Sequence, residues 1–107
     1  MKTAFVGKWK IVEMDEFDQD IDTEEFGQIT FEKGGSGGFH FGCVVASLDW
    51  RYDDSIDRVD FTFEGSDEET EVTGRGWAKI EVKPKLMSGK IVFHLGDESE
   101  FKALKAR

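Results

Sequence analysis

The segment Val59-Asp60-Phe61-Thr62-Phe63-Glu64, followed after an acidic break by Val72-Thr73-Gly74-Arg75-Gly76-Trp77-Ala78-Lys79-Ile80-Glu81-Val82, decides how this chain folds. In both stretches apolar or small residues alternate with polar ones. Successive side chains of a strand point to opposite faces, so a period of two marks a strand with one buried face. The break between them holds Gly65, Ser66, Asp67, Glu68, Glu69 and Glu71, the composition of a turn. Two alternating runs joined by a short polar break read as an antiparallel hairpin.

The same period extends outward in both directions. Upstream, Phe5, Gly7, Trp9 and Ile11 alternate with Val6, Lys8 and Lys10, and Ile29 and Phe31 alternate with Gln28, Thr30 and Glu32. The run Gly34-Gly35-Ser36-Gly37-Gly38 reads as a flexible hairpin connection. Phe39, Phe41 and Cys43 then share a face, which makes Cys43 a small core residue. At Val44-Val45 the phase slips, and Ala46, Leu48, Trp50 and Tyr52 become the apolar set. Such a slip implies a bulge in one long strand or a bend between two. Downstream, Ile91, Phe93 and Leu95 follow a turn read at Met87-Ser88-Gly89, and Phe101 and Ala103 follow Gly96-Asp97. Helix signals are nearly absent, with one capped turn at Asp22-Thr23-Glu24-Glu25 before Phe26. The expected fold is all-β: an antiparallel up-and-down meander of seven or eight strands forming one domain over residues 1–107. Open edges invite aggregation, so the meander is expected to close into a small barrel.

Composition excludes several classes. The chain has 107 residues and a net charge of −9. No apolar run approaches the ~20 residues that span a bilayer, so no membrane helix is expected. The first ten residues hold no apolar stretch long enough for a signal peptide. One cysteine makes no internal disulfide, which fits a reducing, cytoplasmic setting. The charge argues against nucleic acid, whose binding rests on Lys and Arg neutralising phosphates. That charge is uneven, with 19 acids and 6 bases in residues 1–74 and 4 acids and 8 bases in residues 75–107. The first part is net −13 and the second +4, a basic segment suited to an anionic ligand.

Gly7-Lys8-Trp9 resembles the Gly-x-Trp motif of the lipocalin and wider calycin families. That resemblance implies a lipocalin-like barrel with a small apolar ligand in its interior or mouth. It also implies a basic residue from near the chain end over Trp9, for which Arg107 is the match. The chain is shorter than a lipocalin and lacks the disulfide pair and a clear Thr-Asp-x-x-Tyr motif. Arg75-Gly76-Trp77-Ala78, together with the stretch from Phe93 to Phe101, is similar to a group of small bacterial proteins, a likeness that implies no activity.

Reactive residue types are few. Asp18, Asp20 and Asp22 invite a calcium loop, but the sixth and twelfth positions hold Thr23 and Ile29 where Gly and Glu are required. The eight acids from Glu13 to Glu25 therefore read as a solvated loop, with a divalent cation as the sharper alternative. His40 and Cys43, three apart on a strand, face opposite ways. His94, Asp97 and Ser99 hold the residue types of a triad without its geometry. No catalytic residue, metal set or cofactor motif stands out, so an enzyme is the least supported class. The candidate ligand-binding residues are Trp9, Trp50, Arg51, Arg75, Trp77 and His94. Arg75 and Trp77 share a face and are expected to form a cation–π contact. Arg51 lies beside the phase slip and a bulge, a feature that recurs next to functional sites.

Two readings follow. In one, the barrel keeps a cavity or open mouth for a small molecule, the space coming from Gly74, Gly76 and Ala78. In the other, ten Phe fill the interior and the protein acts through its surface as an acidic interaction module, since eight strands enclose just enough room for side chains. An exposed edge or a lateral Trp77 patch would support a homodimer.

Overall fold

A computed structural model describes residues 2–15, 27–82 and 85–106. One helical turn, α1 (Lys2–Phe5), precedes eight strands: β1 (Gly7–Met14), β2 (Gln28–Phe31), β3 (Ser36–Phe41), β4 (Val44–Asp53), β5 (Arg58–Asp67), β6 (Thr70–Val82), β7 (Leu86–Phe93) and β8 (Glu98–Lys105). Each strand pairs antiparallel with the next, and β8 pairs with β1, so the sheet is a closed up-and-down barrel. Closure gives every described strand a neighbour on both sides.

The deciding hairpin is β5–β6, where Phe61 lies opposite Gly76 and Phe63 opposite Gly74. A Cβ on Gly76 would stand 2.4 Å from Cζ of Phe61, and one on Gly74 would stand 2.7 Å from Cζ of Phe63. Phe101 lies in the same way against Gly89, where a Cβ would meet its ring at 2.7 Å. Gly74, Gly76 and Gly89 are thus the seats of three aromatic rings. They do not leave open volume.

Ring contacts then cross the barrel. Phe31 of β2 meets Phe61 of β5 at 6.1 Å and Trp50 of β4 at 5.6 Å, both edge-on. Phe63 meets Phe39 at 4.9 Å and Phe93 at 5.3 Å, in the T-shaped arrangement that aromatic quadrupoles favour. Burying each such side chain stabilises the fold by roughly 1.5–3 kcal/mol before entropy is counted. Around the rings sit Trp9, Ile11, Ile29, Met87 and Ile91, each 1% exposed or less.

Four sequence expectations change or are resolved. The phase slip at Val44-Val45 is not a bulge in one long strand but a sharp turn between two: Phe41 and Val44 pair across Gly42-Cys43. Gly42 takes φ +54 there, a conformation glycine adopts without steric cost. Cys43 consequently sits exposed in the turn, outside the core. Met87-Ser88-Gly89 is interior to β7, since β6 ends at Val82 and β7 begins at Leu86. Phe5 belongs to α1, not to β1, yet is fully buried at the end of the barrel. The Asp22–Glu25 turn and most of the acidic 13–25 segment lie outside the described residues.

That end is closed by a small network. Trp9 Nε1 donates to the Phe5 carbonyl at 2.9 Å, while Lys105 Nζ stands 4.7 Å from the Trp9 ring centroid. Lys105 also donates to the Val6 carbonyl, and partial burial draws its pKa down. Gly7, at φ +128, turns the chain from α1 into β1, and a Cβ there would meet Lys105 Nζ at 2.8 Å. Lys105 is the cation over Trp9; Arg107, expected in that role, is outside the described residues. No helix among the described residues is long and apolar enough to cross a membrane.

Candidate functional site

The polar positions of β4–β8 form ordered rows on the outside of the barrel. One row runs Arg51, Asp60, Trp77, Lys90, Glu100 from β4 to β8, each residue opposite the next. The adjacent row runs Asp49, Thr62, Arg75, Val92, Glu98. Alternation dictates this: once Phe61 and Phe63 point in, Asp60 and Thr62 must point out. The register set by each hairpin then aligns the outward residues into rows.

Two concavities lie on this face. The larger, about 640 Å³, runs over Ser47, Asp49, Thr62, Glu64, Thr73, Arg75 and His94. Its neighbour, about 500 Å³, is framed by Arg51, Arg58, Asp60, Arg75, Trp77, Lys90, Val92 and Glu98. Arg75 borders both.

Charges on the face are mostly matched. Arg51 lies 3.7 Å from Asp49, Arg58 2.8 Å from Asp60, and Lys90 2.8 Å from Glu98. The hydrogen bond from Lys90, reinforced by its charge and more weakly by that of Arg75, holds the Glu98 carboxyl below its ordinary pKa. The same bond raises Lys90. Arg75 has no acid within ion-pair distance among the described residues. Its register neighbours are Thr62 and Val92, which carry no charge. Trp77 is half-buried, and the cation over its ring is Arg58, at 5.7 Å. The Arg75–Trp77 contact expected from their shared face gives way to this cross-strand one. Arg58 Nε is buried without a hydrogen-bond partner, so the stacking on Trp77 withdraws it from water unsatisfied.

The six candidate residues separate into three places. Arg51, Arg75 and Trp77 meet at the smaller concavity. His94, exposed beyond the end of β7, borders the larger one with Arg75. Trp9 and Trp50 are inside, at 0% and 2% exposure, where they hold the core. Trp50 Nε1 is spent on the carbonyls of Glu32 and Ser36, at 3.0 and 2.9 Å. Arg51 adjoins no bulge, since β4 pairs with β5 in unbroken register from Val44 to Asp53. Ser99 is 1% exposed and donates to the Glu100 carbonyl, while His94 and Asp97 are exposed, so the three triad residue types do not assemble. Among the described residues no group of three His, Cys, Asp or Glu is arranged to hold a metal ion.

Thr62, Arg58, Asp60, Lys90 and Glu98 belong to the face and were not singled out from sequence. The signal was present: each occupies a polar phase of its strand, and pairing β5 with β6 brings Asp60 opposite Trp77. No family model matches the chain, and neither a curated protein nor a solved structure matches it.

Proposed function

We propose that this protein is a filled barrel that acts through its outer surface as a protein-interaction module, with the β4–β7 face as its contact surface. The observation that carries the reading is the opposition of two faces of the same strands. Inward, Phe61, Phe63 and Phe101 occupy the room their glycine partners leave; outward, Arg75 and Trp77 stand at two open concavities. Ligand pockets enclose most of a small molecule's surface, whereas shallow faces centred on Arg and Trp are the chemistry of protein contacts. The protein acts without a catalytic group in this reading.

One observation favours a second reading, a small molecule at the barrel mouth. Half-buried Val72 and Phe93 floor a concavity of about 360 Å³ beside His94 and Asp97. Leu95, at the tip of the adjoining turn, is 96% exposed with φ +54.

Photo-crosslinking in cells that produce the protein separates the readings. A benzophenone side chain at Thr62 should capture a protein, while one at Lys8 on the opposite side of the barrel should not. Equal capture at both positions, or none at Thr62, would count against the β4–β7 face. A small molecule retained at the mouth and lost in Phe93→Ala would favour the second reading.

A further inference from the structure

Resting on the reading of the β4–β7 face as a contact surface, we infer that Arg75 anchors a carboxylate of the protein partner, presented beside an apolar side chain that packs on Trp77 and Val92. The starting point is stoichiometry. Four cations frame the smaller concavity, and three of them already have an acid on the same face, at 2.8 to 3.7 Å. Arg75 is the fourth. It stands where the two concavities join, so a group entering either one reaches it.

A guanidinium presents paired N–H donors in a plane that match the two oxygens of a carboxylate. A polyanion fits poorly. Asp49, Asp60 and Glu98 line the same concavity and already neutralise its other three cations, and the chain carries −9 overall, so a nucleic acid or a multiply phosphorylated surface finds one unmatched charge here and net repulsion beyond it. One carboxylate satisfies Arg75 and leaves the three existing pairs intact. The apolar companion follows from position. Trp77 is two residues along β6 on the same face, and Val92 lies directly opposite Arg75 on β7. Both are half-buried and lie on the outside of the barrel, where no further layer of the described residues covers them. Because each of β4–β7 already has a strand on both sides, a partner on this face is recognised through side chains and not by strand addition.

A random heptapeptide display library selected on the intact full-length protein tests this. Selected peptides should carry Asp or Glu next to an aromatic or branched apolar residue. Made synthetically, they should lose about tenfold in affinity when that carboxylate becomes an amide, and again when the protein carries Arg75→Gln, as expected for one charge-assisted contact. Lys8→Gln should leave binding unchanged. Peptides that shift the amide resonances of Thr62 and Val92 yet bind Arg75→Gln equally would overturn the carboxylate anchor while sparing the contact face. Enrichment of Lys or Arg at the same resonances would overturn it too, by assigning recognition to Asp49, Asp60 and Glu98. Peptides that bind only elsewhere would sink both the anchor and the face. Thermal unfolding of Arg75→Gln at the wild-type temperature confirms that any loss is local.

Discussion

The inner and outer faces of β5 and β6 share one backbone and one alternation, but their side chains are fixed by different demands. Inside, Phe61 has Gly76 opposite because no larger residue fits: a Cβ on Gly76 would stand 2.4 Å from both the Phe61 ring and the Lys90 carbonyl. Outside, nothing in the packing asks for Trp77 or Arg75. A sheet face open to water is satisfied by Thr, Lys or Glu, as at Thr62, Lys79 and Glu64 on the same strands. A half-buried Trp there, with a guanidinium stacked over it and another free beside it, is therefore information about contact and not about folding. Residues explained by the fold are poor guides to function. The unexplained ones are the site.

Substitution should sharpen this contrast, beginning with the largest effect. Phe61→Ala empties the centre of the barrel and should cost about 3–5 kcal/mol in urea unfolding. Gly76→Val adds volume to the same contact and should cost about 2–3 kcal/mol, as overpacking does. Little loss in either variant would mean that the interior has room to spare, and the contrast between the faces would fail. Trp77→Ala and Arg75→Gln, on the other side of the same strands, should each stay within about 1 kcal/mol of wild type. A loss of several kcal/mol at Trp77 would make it a structural residue and remove it from the site.

The smallest effect lies at the rim, where Tyr52 belongs to both worlds. Its ring packs 6.0 Å from Phe5, while its hydroxyl donates to Asp57 at 2.7 Å. That hydrogen bond first, then desolvation and the negative charges of Asp57, Asp54 and Asp53, push its pKa from 10.0 up to about 12. The folded form thus holds the phenolic proton more tightly than the unfolded chain. The contribution is full below pH 10 and is lost as pH rises towards 12. Relative to Tyr52→Phe, the wild-type melting temperature should fall across that window and stay parallel below it. Parallel curves throughout would show that the Tyr52–Asp57 bond does not survive in solution.

The fold was legible because period two runs through almost the whole chain, and Gly or acidic residues mark every break between strands except Lys83-Pro84-Lys85. The details that escaped are those for which alternation is mute. A two-residue turn and a bulge shift the phase equally, so Gly42-Cys43 was indistinguishable from a slip within one strand. Gly89 looked like a turn residue because its reason for being glycine, the Phe101 ring against it, comes from β8. Of the site, Arg51, Arg75 and Trp77 were visible as unusual residues on polar phases. Arg58, Asp60, Lys90 and Glu98 were not, since charged residues on strands are ordinary until register shows which of them meet. Trp9 and Trp50 drew attention by residue type alone, and burial accounts for both.

Native mass spectrometry of the protein freshly isolated from its own cells bears most directly on the central claim, that the interior is filled and the outer face does the work. The account predicts the mass of the bare chain or of the chain with a protein partner, the partner being lost in Arg75→Gln and Trp77→Ala. A stoichiometric small molecule retained by the wild type, persisting in both outer-face variants and expelled by Phe61→Trp, would contradict it.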